Sequence, residues 1–174
     1  MSFGRFAMFA GIAITAIAIA NHAPALTQEA APPPAADSGV IRVKSAYDMD
    51  ETLVRIKKDI VAKGVRFFDE IDQAQLAASA GIKLPASVLL VFGNPPLGIQ
   101  FLTANPYAGL DWPVRMLVFQ DSAGQVWIAY SDFAYIANRY HITDRPAQFK
   151  MASEVAASIA SSAQSKPMLP PQKP

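Results

Sequence analysis

Val88-Leu-Leu-Val-Phe-Gly-Asn-Pro-Pro96 and, further on, Leu110-Asp-Trp-Pro-Val-Arg-Met-Leu-Val-Phe119 contain two short apolar runs closed off by Gly, Asn and Pro. Runs of this length and punctuation read as strands in the core of a sheet rather than as helices. The segments around them supply the rest of an alternating pattern. Val40–Ala46 alternates apolar and charged residues, as a half-exposed strand should. Asp48 stands three residues before Glu51, a capping-box-like helix start. Leu53, Ile56 and Ile60 then recur on one helical face, and Gly64 supplies the stop. Val65–Ile71 reads as a strand, with Asp72 as the cap of a short Ala-rich helix ending at Gly81.

After the quoted strands the pattern continues as a hairpin. Asp121-Ser-Ala-Gly124 is its turn and Gln125–Tyr130 the returning strand. Ser131 or Asp132 caps a helix from Phe133 to about Tyr140, and Pro146 suits the first turn of a last helix. On that helix Phe149, Ala152, Ala156, Ile159 and Ala163 form a stripe, which either covers the sheet or makes a dimer contact. Pro95–Pro113 reads as an irregular connection anchored by Phe101, Leu102 and Tyr107, in the manner of a lid or a loop carrying a short helix. The fold expected is α+β: a mostly antiparallel sheet with helices packed on one face, in a β-α-β(4)-α-like order plus a C-terminal helix.

At 174 residues and 52% hydrophobic content, one compact domain over residues 40–163 is expected. Residues 1–25 read as a signal peptide: Arg5, an uncharged run from Phe6 to Ala20, then Ala23-Pro24-Ala25, with Ala18-Ile19-Ala20 as an earlier cleavage pattern. A periplasmic or secreted location follows, and a membrane enters only if that segment stays uncleaved. Residues 26–39 form an Ala- and Pro-rich spacer and residues 164–174 a Pro-rich tail. Cleavage after Ala25 would remove one cation and no anion, leaving 14 charges of each sign and so a neutral domain. Such a domain gives no electrostatic reason to expect nucleic acid. The chain has no Cys, and His22 departs with the leader, leaving His141 as the one histidine. That removes most transition-metal sites and nucleophile–base pairs, and nothing calls for a cofactor.

The residues Ile71-Asp72, Ala80-Gly-Ile-Lys-Leu-Pro85, Leu90-Val-Phe-Gly-Asn-Pro95, Asn105-Pro106, Leu110-Asp-Trp-Pro-Val-Arg115, Val126-Trp-Ile-Ala-Tyr130 and Asp132 resemble the domain-of-unknown-function 302 family. The resemblance covers roughly residues 40–142. It implies a fold similar to TATA-box-binding-protein-like α+β domains, makes homodimers an expectation, and implies no settled activity. The chain departs from the family pattern in several places. Gln73 stands where members commonly carry a histidine, and Gly98-Ile99 replaces Gly-Thr. Tyr130-Ser131-Asp132 replaces Tyr-Asn-Asp, and Arg139-Tyr140 replaces Arg-His, with His141 one place later. Gln hydrogen-bonds but neither titrates nor binds metal as histidine does, which argues against catalysis through that position.

Three groups of residues are candidates for function. Asn94, Asn105, Asp111 and Arg115, with Tyr130, are expected to converge around Pro95–Pro113 as a ligand site, although Asn-Pro is also ordinary turn chemistry and Arg115 could simply pair with Asp111. Asp69 and Asp72 are weak metal candidates, since alternating carboxylates suit a hard cation, but Asp72 is well placed as a cap. Ser131, Asp132 and His141 invite a triad, yet they sit at opposite ends of one helix, on the order of 13 Å apart. The expected function is a non-enzymatic small-ligand-binding or protein-interaction module. The alternatives are a hydrolase-like or metal-assisted enzyme using carboxylates, or a structural homodimer.

Overall fold

The structure is a computed structural model that describes residues 38–164. The expected leader, the spacer up to residue 37 and the tail from residue 165 lie outside the described residues. Five strands, β1 (Val40–Lys44), β2 (Arg66–Asp72), β3 (Ser87–Gly93), β4 (Val114–Gln120) and β5 (Val126–Ser131), form one sheet in the order β1-β5-β4-β3-β2. All four pairings are antiparallel. The two apolar runs quoted above are β3 and β4, which pair from Ser87↔Phe119 to Phe92↔Val114. The α+β expectation therefore holds.

Strand alternation divides the sheet into two unlike faces. Val88, Leu90 and Phe92 of β3, Met116 and Val118 of β4, and Val126, Ile128 and Tyr130 of β5 are buried in one core. The helices α1 (Met49–Ala62), α3 (Pro95–Ala104), α4 (Phe133–Arg139) and α5 (Pro146–Ser161) contribute Leu53, Ile56, Ile60, Phe101, Phe133, Ile136 and Phe149 to it. The small helix α2 (Gln73–Ser79) lies by β3, where Gln73 accepts a hydrogen bond from Ser87 Oγ at 2.7 Å. Leu89, Leu117, Phe119, Trp127 and Ala129 point to the other face and are only half-buried.

Caps form where the residue types place them. Asp48, Asp72 and Asp132 each accept a bond from a backbone N–H of the first turn that follows. Gly64, at φ +67°, turns the chain out of α1. The alanine stripe of α5 is spent inside the domain: Ala152, Ala156, Ile159 and Ala163 are all buried.

The Pro95–Pro113 segment differs from an irregular lid. It folds into α3 and a 3-10 helix over Pro106–Leu110. Pro95 and Pro96 occupy the first helical positions, where a missing N–H costs nothing. Phe101 is in the core, but Tyr107 is 71% exposed and anchors nothing.

A buried polar knot joins the two ends of the domain. Thr52 Oγ1 donates to the Asp48 carbonyl, and Ser45 Oγ, 2.7 Å from Thr52 Oγ1 and 3.2 Å from the Ala163 carbonyl, has both as acceptors within reach of its one proton. Both side chains are almost wholly buried. Thr52→Val keeps the shape and strips the hydroxyl, so urea unfolding should show a loss of about 1–3 kcal/mol.

On the half-open face the β4–β5 turn is organised by Asp121. One oxygen accepts from Ala123 N and Gln125 N, and the other from Trp127 Nε1 at 2.7 Å. The Arg42 guanidinium lies 3.6 Å over the Trp127 ring. The Trp127 bond is the main cause holding the Asp121 carboxyl below its ordinary 3.8. Partial burial opposes this, and the two backbone bonds and Arg42 reinforce it. A depressed folded-state value contributes stability above the unfolded value, lost as pH falls through the folded one. Asp121→Asn should therefore flatten the fall of Tm below about pH 4, read by circular dichroism. An unchanged acid limb would remove Asp121 as its source.

Candidate functional site

The start of α3 determines the geometry of the end of the sheet. Asn94 occupies the N-cap position in extended conformation, but its side chain makes no capping bond. Its carbonyl instead accepts from Leu97 N at 3.1 Å and Gly98 N at 2.8 Å. A Cβ on Gly98 would fall 1.8 Å from Trp112 Nε1, and one on Gly93 would fall 3.2 Å from the same atom. Only the absence of a side chain lets the indole edge lie against α3. Phe68, pushed out by the bulge in β2, meets Trp112 edge-on at 6.2 Å. The Trp112–Pro113 peptide is cis.

Beside this contact lies a cavity of about 90 Å³ between the end of β3, α3 and α5. Its walls include Phe92, Phe101, Trp112, Val114, Phe133 and Val155, and Asn94 and Lys63 are the polar side chains at its border. Lys63 pairs with Asp59. Past Leu97 and Met151 a more open groove of about 270 Å³ runs between α3 and α5, lined by Asn94, Gln100 and Gln148. Across the groove, Gln148 Nε2 donates to Gln100 Oε1 at 2.9 Å.

The other expected site residues gather elsewhere. Asp111, whose side chain is 7% exposed, accepts from Arg115 Nη2 at 2.9 Å, Arg139 Nη1 at 3.2 Å and Tyr140 Oη at 2.6 Å. Arg115 Nη2 also donates to the Leu110 carbonyl. Asn105 donates to the Tyr140 carbonyl and caps the 3-10 helix through Tyr107 N. This knot ties the loop before β4 to the end of α4, and its acceptors are occupied. The hydrogen bond to Asp111 is the main cause raising the Tyr140 phenol, because it is made by the protonated form, and burial adds to it.

Asn94 makes no bond within the Asp111 knot, so the expected site residues do not share one hydrogen-bond network. Tyr130 is buried in the core opposite Met116 and Ile41, and burial followed by the Asp132 charge raises its phenol. Asp69 and Asp72 also stay apart. Asp69 Oδ1 accepts from Glu70 N, and Asp72 caps α2. Among the described residues, no three His, Cys, Asp or Glu side chains are grouped to hold a metal ion. His141 is exposed just past the end of α4, at φ +53°.

Sequence reasoning missed Arg139 and Tyr140 as partners of Asp111, and Lys63, Trp112, Met151 and Val155 as cavity residues. The one available signal was Gly98, a glycine inside an otherwise apolar stretch.

The family described as Domain of unknown function DUF302 matches residues 41–165. The chain belongs to this family. A crystal structure of an uncharacterised conserved DUF302 protein from Bacillus stearothermophilus shares its fold, with a TM-score of 0.63 and 18% identity over 72% of this chain and 98% of that one. Two curated relatives are 34% identical over 106 residues, 61% of this chain. They are named Fluoride-specific ion channel FluC 1, from Brucella suis, and Fluoride-specific ion channel FluC 2, from Brucella melitensis. The match spans only 42% and 39% of those proteins' lengths. Among the described residues of the DUF302 domain, no helix is long and apolar enough to cross a membrane.

The Asp111 knot should behave as structure. Tyr140→Phe is expected to cost about 1–3 kcal/mol in urea unfolding, and Asp111→Ala at least as much. A neutral Tyr140→Phe would show that the bond contributes nothing net. Gly98→Ala should expel Trp112 and red-shift its fluorescence, most clearly in a Trp127→Phe background.

Proposed function

We propose that this DUF302 chain is a non-catalytic binding module that holds a small molecule in the cavity between β3, α3 and α5. The observation carrying the reading is an apolar recess beside a polar side chain, Asn94, that the fold does not use for capping. Recesses of that kind, mostly apolar with a few placed polar groups, are how proteins hold small ligands. The polar residues of the Asp111 knot are by contrast engaged in internal bonds, and the described histidine, His141, stands outside the cavity lining.

We also propose export to the periplasm or beyond, on the leader-like order of Arg5, the Phe6–Ala20 run and Ala23-Pro24-Ala25. The channel relatives bear on context rather than activity. The longest described helix, α5, has 16 residues, about 24 Å at 1.5 Å per residue against about 30 Å of bilayer core. We infer that in those relatives the matching part stands beside the channel rather than forming it.

Self-association is a second reading, favoured by the half-open sheet face. There a stripe of Leu89, Leu117 and Ala129 lies between Ile71 of β2 and Arg42 of β1, with Asp69 and Lys44 two residues along those edge strands. Two copies packed with reversed strand order would bring opposite charges together. Sedimentation of wild type against Leu117→Lys reads it directly, and a monomeric wild type removes it.

Saturation-transfer NMR with a fragment library on the full chain tests the cavity. Hits should disappear in Val155→Phe and Met151→Trp, which fill the recess and its rim, and persist in Tyr140→Phe. At a hundredfold excess over Kd, binding should add about 2.7 kcal/mol of stability. Hits indifferent to both filling substitutions would place the binding surface elsewhere.

A further inference from the structure

The groups bordering the cavity also narrow the kind of molecule it takes, if the cavity reading above holds. An anion needs uncompensated positive charge or several converging donors. Helix starts commonly supply such donors, but the α3 start that borders the cavity does not, and the first turn of α5 lines the outer groove through Ala147 and Gln148 rather than the cavity. Pro95 and Pro96 have no N–H, and the next two amides, Leu97 and Gly98, already donate to the Asn94 carbonyl. The cation at the border, Lys63, is already paired with Asp59.

A cationic ligand fares no better. Among the described residues, neither the cavity nor the adjoining groove is lined by a carboxylate.

What remains is neutral and can both donate and accept. Asn94 presents an uncapped carboxamide where cavity and groove meet, and the groove beyond carries the amides of Gln100 and Gln148. With a water's liquid volume at about 30 Å³, the cavity has room for roughly three non-hydrogen atoms. That is the end of an alkyl chain rather than a whole ring system, and the larger groove takes the rest.

We propose that the site binds neutral amphiphiles: an aliphatic chain whose end enters the cavity and whose hydroxyl or carboxamide meets the Asn94 side chain. Carboxylates and amines of the same length are discriminated against.

The test is an amide-resolved NMR titration of the full chain with 1-hexanol, hexanamide, hexanoate and hexylamine, following Gly93, Gly98 and the Trp112 indole N–H. Hexanol and hexanamide should bind at least fivefold more tightly than the two charged probes. Asn94→Leu, which removes no capping bond, should weaken hexanamide at least fivefold, and Lys63→Met should leave hexanol unchanged. Hexanoate binding as tightly as hexanol, with its affinity lost in Lys63→Met, would overturn the neutral-ligand inference and leave the cavity reading standing. Hexylamine binding as tightly as hexanol would do the same. If none of the four probes shifts these signals, or if the shifts survive Val155→Phe and Met151→Trp, the cavity reading itself falls.

Discussion

The close approach of Trp112 to α3 is the contact on which this end of the molecule depends. The indole nitrogen occupies the place where any side chain at residue 98 would begin, with Gly93 closing the other side. With the indole there, α3 lies low enough for Phe101 to stack on Phe149 of α5, ring centres 4.3 Å apart. That stack is one of the contacts holding α5 to the rest of the core. Residue 98 is thus a steric requirement rather than a flexibility requirement, since Gly98 has an ordinary helical backbone while Gly64 needs its positive φ.

Polar side chains divide by the work they do. Ser45 and Thr52 meet backbone carbonyls where the β1–α1 turn meets the end of α5, and Asp111 collects two guanidinium groups and a phenol where the loop before β4 meets α4. A buried or nearly buried polar group without partners would cost on the order of 1–3 kcal/mol, so these knots are closed sets. Two positions where the family pattern has histidine fall on such bonds: Gln73 accepts from Ser87, and Tyr140 donates to Asp111. A glutamine and a phenol keep the hydrogen bonding there without a group that titrates near neutral pH.

The strands were legible because β3, β4 and β5 are short, rich in branched and aromatic residues, and bounded by Gly, Pro and Asp. The caps were legible because Asp48, Asp72 and Asp132 act on neighbours within three residues. α3 was harder: its apolar residues run around the whole helix, leaving no 3.6-residue stripe, and two prolines at its start read equally well as a turn. The pairing of Arg115 with Asp111 spans four residues and was foreseen, whereas Arg139 and Tyr140 come from 28 and 29 residues away. Local chemistry gives no access to contacts at that range. Asn94 stands apart from Asn105 and Asp111 in its bonding: its side chain makes no capping bond, whereas theirs are engaged with Tyr140.

The cavity has an energetic meaning of its own. A recess open to water keeps apolar wall area exposed that packing would otherwise bury, at roughly 25 cal/mol per Å². Ala152 and Ala156 border the space, and one or two methylenes on either would begin to fill it. The close approach of α5 to the rest of the core requires small residues where the helix packs. That explains Ala152 and Ala156, each buried on the inner face of α5. It does not explain Met151, which is 53% exposed and could rotate inward over the opening, or the half-buried Val155 at its side. Flexible methionine is the side chain best suited to closing such a gap, and here it stands at the rim. Packing alone therefore accounts for the alanines but not for the open mouth, and the open mouth is the part of the geometry that a ligand would need.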